Sequence, residues 1–348
     1  MTLFDQPRPS DSVSPDAPRP DAPRPGRLAR LVDSALASSH PTTAADLFAL
    51  AADAFDGTLA EGAFSPRDAY DAAELGLHLH LLRLGLPLGD DPSDALAEVE
   101  RLSALLPSQT RRTTAQNDFQ QFSTPAAYAA LCAWVGGVGA RGSARGDRVL
   151  EPSAGTGALC TFALAAGARV HANELCPRRA DALAVLLAEA GQDPSQTLTR
   201  ENADHLDATL PPAVRADVVL MNPPFSQTAG RLGRRRVPTV GTGHVLQALR
   251  RLDAGGRLVA VLSAGVRRGK PTHRVFFEAV DRDPFRLRAD VEVGGAVYRP
   301  YGTFVRTRLL VVDRTSGGEP DERVVSVVES VGEAVEALRP LRVTGGTR

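Results

Sequence analysis

From Val149 onward the chain alternates short apolar runs with helix-length stretches, and this alternation is the strongest constraint on what it can fold into. The runs are Arg148-Val149-Leu150, Arg169-Val170-His171-Ala172, Asp217-Val218-Val219-Leu220-Met221 and Arg257-Leu258-Val259-Ala260-Val261-Leu262. Residues 158–166, 177–191 and 242–253 lie between them and read as crossover helices. Strand, helix and strand in that order form the βαβ signature of a parallel sheet covered on both faces. The pattern predicts an α/β fold, a Rossmann-like doubly wound, mostly parallel seven-stranded sheet with an antiparallel closing strand. That closure comes from residues 287–293 and 305–313, two strand-like runs joined by a Gly- and Tyr-containing connection. A last helix is expected over residues 331–338.

The first third reads differently. Residues 1–26 are rich in Pro, Asp and Ser, with the tandem Asp16-Ala17-Pro18-Arg19-Pro20 and Asp21-Ala22-Pro23-Arg24-Pro25. So little apolar surface cannot offset the entropy of ordering, which predicts a disordered tail. Residues 27–108 are Ala- and Leu-rich at helical spacing, as in Leu47, Leu50, Ala51 and Phe55. Helix-start chemistry at Pro41-Thr42-Thr43 and Asp91-Pro92-Ser93-Asp94 predicts three to five helices, a small helical subdomain ahead of the sheet. The α/β unit is expected over 109–316, and a strand and helix extension over 317–348. His78 and His80 sit in one apolar helix with no further ligand at i+4, which argues for a structural role.

Charge and cysteine usage exclude several classes. A formal net charge of -1 means that any nucleic-acid surface must be local. Lys270 is the one lysine among 40 basic residues, a bias that fits GC-rich coding. Cys132, Cys160 and Cys176 form no C-x-x-C pair and have no histidine at metal spacing, so neither a disulfide framework nor a metal site is expected. With no apolar run of bilayer length and no apolar core in MTLFDQPRPSDS, a cytoplasmic protein is expected, without a membrane partner.

Four segments at successive strand ends carry the chemistry. Val149-Leu150-Glu151-Pro152-Ser153-Ala154-Gly155-Thr156-Gly157-Ala158 runs from strand through a glycine turn into a helix, so the backbone can approach a ligand closely. His171-Ala172-Asn173-Glu174 follows about twenty residues later, with an acid where nucleotide-binding sheets hold ribose hydroxyls. Glu201-Asn202-Ala203-Asp204 brings another acid to the third strand end. Asn222-Pro223-Pro224-Phe225 ends the fourth. Its two prolines hold the backbone extended, so the Asn222 amide oxygen and the Pro223 carbonyl can both accept from one NH2 group. Phe225 offers a flat face for an extruded base.

These residues resemble the class I S-adenosylmethionine-dependent methyltransferases and, within them, the DNA adenine-N6 group. Glu151 to Gly157 is similar to that family's cofactor loop, Asn222-Pro223-Pro224-Phe225 to its catalytic tetrapeptide, and Gln120-Gln121-Phe122-Ser123-Thr124-Pro125 to its Phe-x-Thr-Pro segment. The resemblance covers roughly residues 117–314. It implies S-adenosylmethionine as cofactor, with Phe122, Thr124 and Glu151 around its amino-acid portion, Gly155 and Gly157 beneath it, and Ser153 of the same loop also binding it. It also implies Glu174 on its ribose, Asp204 on its adenine, Asn222 facing both ligands, and Asn222, Pro223, Pro224 and Phe225 on the target base. The stretch Tyr298 to Arg308 is similar, more loosely, to the closing hairpin of modules found beside Strawberry notch-type helicases, so that Tyr298 or Tyr301 either lines the base pocket or packs in the hairpin.

Basic clusters at Arg111 and Arg112, at Arg231, Arg234, Arg235 and Arg236, and at Arg267, Arg268, Lys270 and Arg274 suit a phosphate backbone, which favours DNA as partner, with RNA possible. Only about 35 residues follow Asp313, and the insert over 226–241 is short, too little for a large target-recognition region. Specificity is therefore expected to be weak, or to come from the helical part or from a helicase or restriction-modification subunit. A protein-glutamine methyltransferase and an RNA base-amino methyltransferase are the competing activities, and an inactive nucleic-acid-binding module is the competing non-enzyme.

Overall fold

The computed structural model describes residues 26–108, 123–140, 146–225, 227–228, 236–237, 239–315 and 322–343. The expected N-terminal tail, Phe122, Arg111, Arg112, Arg231, Arg234 and Arg235 lie outside the described residues, as does the side chain of Arg236.

Four helices come first: α1 (Gly26–Ala37), α2 (Ala44–Ala54), α3 (Pro66–Leu84) and α4 (Ser93–Ala104). Their starts follow from local chemistry. Thr43 caps α2 and Ser65 caps α3, each in a capping box closed by the aspartate three residues on, Asp46 and Asp68. Ahead of α4, Asp91 accepts from the Ser93 N–H at 3.0 Å. Helix α3 ends at Gly85, in the left-handed region at φ 57°. From Asp71 to Leu81 every residue of α3 is buried, so this helix is an interior element with neighbours on all sides.

Helix α5 (Ala126–Gly136) is buried along its whole length and lies against the sheet and α6. The remaining larger elements are β1 (Arg148–Glu151), α6 (Ala158–Ala165), β2 (Arg169–Asn173), α7 (Pro177–Glu189), β3 (Leu198–Thr199), β4 (Ala216–Met221), α8 (Val240–Leu249), β5 (Leu252–Ser263), α9 (Arg274–Val280), β6 (Phe285–Val293), β7 (Thr307–Arg314), β8 (Val324–Val328) and α10 (Val331–Leu338). A two-residue antiparallel pair, Gln227–Thr228 with Arg236–Val237, stands apart from the main sheet.

The main sheet is ordered β8-β6-β7-β5-β4-β1-β2-β3. The fold is α/β, as the alternation predicts, but the sheet has eight strands where seven are expected. The additional strand is β8, which pairs in parallel with β6 over Val324–Val328 and Ala289–Val293. Only β7 runs against its neighbours, antiparallel to both β5 and β6. The chain steps outward from β1 to β2 and β3, then returns to place β4 on the other side of β1. The carboxyl ends of β1 and β4 therefore frame the topological switch point, where open α/β sheets bind ligands.

Two cores back the sheet. The larger joins α5, α6, α7 and the N-terminal helices to one face, with Trp134 and Tyr128 fully buried. The smaller packs α8 and α9 on the other face. Arg148 ties the amino end of β1 to Asp217 and Asp253 at 2.6 and 2.8 Å, away from the switch point. Among the described residues no helix is long and apolar enough to cross a membrane.

Candidate active site

A cleft opens over the switch point. Its lining joins the turn after β1 (Ser153, Ala154, Gly155, Thr156), Glu174 after β2, Arg179 of α7, Ser123 and Thr124 ahead of α5, and Asn222, Pro223 and Pro224 after β4. The three motifs, which are up to about a hundred residues apart in sequence, thus share one cavity.

The glycine turn takes its shape from two positions. Gly155 has φ +59° and Gly157 φ +103°, conformations that side chains disfavour. At Gly157 a Cβ would stand 2.5 Å from Leu186 Cδ2 and 3.1 Å from Leu183 Cδ1, so α7 closes directly on the turn. Glu174 braces it from the next strand, accepting from the Gly155 N–H at 2.7 Å through one oxygen and from the Cys176 N–H at 2.8 Å through the other.

Glu151 ends β1 and is almost fully buried. Burial pushes its carboxyl well above the usual carboxylate range, and the negative charge of Glu174 adds to this, while donation from the Ser153 N–H at 3.1 Å opposes it. Among the described residues its Oε2 has no hydrogen-bond partner, nor has the buried hydroxyl of Ser153. Two such atoms side by side suit a donor-bearing ligand, because a buried unsatisfied acceptor costs about 1–3 kcal/mol.

Asn222 closes the cleft from the β4 side. Its Nδ2 donates to Thr124 Oγ1 at 2.9 Å, across 98 positions of sequence. Beside the amide stands Tyr298, which is fully buried and packs edge-on against Tyr128 at 6.3 Å between ring centroids. Tyr298 is therefore a packed aromatic that touches the site, whereas Tyr301 is half-buried nearby. Phe225 is buried and belongs to the larger core, outside the cleft lining.

Asp204 sits past β3, outside the lining of the central cleft, where His244 Nε2 meets its Oδ1 at 2.9 Å. The basic cluster after β5, Arg267, Arg268, Lys270 and Arg274, is exposed. Arg268 also pairs with Asp281, and its guanidinium lies 4.9 Å from the Phe277 ring centroid. Arg274 lies 3.8 Å from Glu278 on the same helix.

Helix α3 supplies functional neighbours that the motifs do not point to. Glu74 Oε2 accepts from Ser123 Oγ at 2.8 Å and from Thr156 Oγ1 at 2.9 Å. His78 Nδ1 donates to the Thr156 carbonyl at 3.1 Å. Asp71 pairs with Arg178 at 2.5 Å and lies 3.8 Å from Arg179, the cleft residue. The available signal was a carboxylate set among Ala72, Ala73, Leu75 and Leu77, since a charge in an apolar helical run is rarely buried without a partner.

No family model matches the sequence, and no curated protein matches it. Among solved structures, the chain is similar to a protein of Listeria monocytogenes described as a class I S-adenosylmethionine-dependent methyltransferase. The TM-score is 0.53 at 12% identity, over 91% of this chain and 98% of that one. The two chains share a fold. The chain is also similar to the EcoKI M protein of a type I restriction enzyme (TM-score 0.49, 14% identity, 77% of this chain). A type I restriction-modification methyltransferase subunit from Streptococcus thermophilus gives TM-score 0.48 and 12% identity over 80% of this chain. This chain spans 64% of the length of each of those two subunits.

Proposed function

We propose that this protein transfers a methyl group from S-adenosylmethionine to an exocyclic amino nitrogen, with adenine N6 in DNA as the substrate. The observation that carries the reading is the Asn222–Thr124 hydrogen bond, which joins the tetrapeptide to the segment facing the glycine turn across a single cleft. The class I methyltransferase fold shared with the Listeria protein supports it.

The residues fit the cofactor. Glu151 Oε2 and Ser153 Oγ, buried acceptors without a partner among the described residues, suit the ammonium end of an amino acid. Glu174, at the end of β2, is the acid suited to ribose hydroxyls, although its oxygens also accept from Gly155 and Cys176. Bound there, S-adenosylmethionine supplies an electrophilic methyl group on a sulfonium. Asp204 is proposed as the adenine contact and Phe122 as the cover over the methionine end. In this assignment Ser153, Gly155 and Gly157 form the floor.

The chain's own part is positioning and exclusion of water. Donation of Nδ2 to Thr124 fixes the Asn222 amide, whose Oδ1 is proposed to accept from the target amino group, with the Pro223 carbonyl as the second acceptor. Accepting both N–H hydrogens holds the nitrogen in line and favours its lone pair as nucleophile. Stacking of the base on Phe225 then requires that ring to leave its core contacts. Arg267, Arg268 and Lys270, with the arginines at 231, 234, 235 and 236, are proposed to track phosphates, and a helicase or restriction subunit to supply sequence choice. The test is incubation of the full chain with labelled S-adenosylmethionine and DNA, RNA or a protein carrying an exposed glutamine, followed by nucleoside mass spectrometry. N6-methyladenine in DNA is expected. Label confined to RNA or to protein would replace the substrate, and none in any acceptor would remove the activity.

A further inference from the structure

Helix α3 belongs to the N-terminal helices and lies behind the cleft, yet its side chains hydrogen-bond to Ser123 and Thr156 of the cleft lining. Glu74 is 7% exposed, and one of its oxygens receives two hydroxyls from different segments. Ser123 precedes the residue that holds the Asn222 amide, and Thr156 lies between the two glycines of the turn. A carboxylate in such a place is costly: burial and the charge of Asp71 push it up to about 7, against the opposing influence of Arg179 and the two hydroxyls. His78 faces it from the next turn of α3, and Tyr301 from the loop after β6 feels its charge. An apolar side chain would fill the same volume without that cost, so the acceptor itself needs a use.

We propose that Glu74 is a positioning residue, a clasp that fastens the Ser123–Thr124 segment to the glycine turn at Thr156 and so sets the Thr124–Asn222 hydrogen bond. The N-terminal helices are then a working part of the transfer site. The inference rests on the methyltransferase reading for its functional consequence, but the clasp itself is a statement about the unliganded chain. Through Ser123, Thr124 and Asn222 it links a helix that contacts neither ligand to the group that holds the target nitrogen.

The experiment compares full-length wild type, Glu74→Leu, Glu74→Gln and Thr156→Val. Three quantities are measured: amide hydrogen exchange over residues 124–130, calorimetric affinity for S-adenosylmethionine, and single-turnover transfer as a function of pH. In Glu74→Leu, exchange quickens, affinity weakens and transfer slows, each by at least about tenfold, the scale of one lost hydrogen bond to a charged group. Glu74→Gln keeps an acceptor oxygen, so it recovers most of each loss, and it removes any inflection near neutral pH from the transfer profile. Thr156→Val, nearly isosteric, shows a smaller loss of about threefold and carries the test if the leucine variant does not fold. Exchange and affinity within twofold of wild type in the leucine variant, or in Thr156→Val if that variant stands in for it, would overturn the clasp. A glutamine variant as impaired as the leucine one would do the same. Wild type that fails to take up S-adenosylmethionine would refute the methyltransferase reading instead, and the exchange data would still decide the clasp.

Discussion

Replacing each glycine of the turn by alanine separates its two physical duties. At Gly157, φ is +103°, outside the left-handed well that alanine tolerates at about 1–2 kcal/mol. The added methyl would meet Leu186 Cδ2 at 2.5 Å, more than 1 Å inside an ordinary carbon contact of about 3.5–4.0 Å. Leu183 and Leu186 are fully buried, so neither can swing aside into solvent. Overpacking of this kind costs about 1–3 kcal/mol, giving roughly 2–5 kcal/mol in all. At Gly155, φ is +59°, and the nearest atom to an added methyl is Arg179 Nη1 at 4.0 Å. Its cost is the backbone alone, about 1–2 kcal/mol, but the methyl enters the cleft. Thermal melting therefore falls by about 4–20 °C for Gly157→Ala and by about 2–8 °C for Gly155→Ala, using roughly 2–4 °C per kcal/mol. Calorimetry reverses the order, with the larger loss of S-adenosylmethionine affinity in Gly155→Ala. A Gly157→Ala protein melting within about 2 °C of wild type would refute the packing argument. So would Gly155→Ala proving the less stable of the two.

Further outcomes follow from the site. Asn222→Ala is expected to lower single-turnover transfer by at least about a hundredfold, the scale of one lost transition-state hydrogen-bonding group, with affinity for S-adenosylmethionine within a few-fold of wild type. Equal turnover would remove Asn222 from the reaction. Burial lowers His78 from 6.5 to about 4, so its neutral form contributes stability that is fully present above pH 6.5 and is lost as pH falls through about 4. That loss amounts to about 3 kcal/mol at its limit, and His78→Asn should flatten the acid limb of melting temperature against pH. For DNA, removing exposed Arg267 and Lys270 together should reduce the salt slope of binding by roughly 2 without unfolding the chain. Arg268→Ala should also lower the melting temperature, since Asp281 and Phe277 hold that side chain.

Much of the sheet was legible because its signals are local. Crossover helices expected over 158–166 and 177–191 form over Ala158–Ala165 and Pro177–Glu189, and the last helix lies at Val331–Leu338 as its spacing indicates. A strand was expected in the extension over 317–348, but its place as the eighth strand of the main sheet was not legible, because Val324–Val328 joins the sheet by pairing with β6, about 35 residues earlier. The four strand-end segments were readable as motifs, since turn chemistry and position after an apolar run are both written nearby. The partners of those motifs were not. Glu74 meets Thr156 across 82 positions, and His78 meets the same residue across 78. The ion pair of Arg268 was hidden for the same reason, since its partner Asp281 lies 13 residues on.

The chain has one tryptophan, and the fold encloses it completely. Trp134 lies in α5, ten residues after Thr124, with the guanidinium of Arg342 5.7 Å from its ring centroid. Its fluorescence is thus a label-free gauge of one spot, the seam between α5, the sheet and the C-terminal residues. Emission that reddens before the far-ultraviolet helix signal is lost would mean that this seam opens ahead of the surrounding helices, which no averaged melting curve can report.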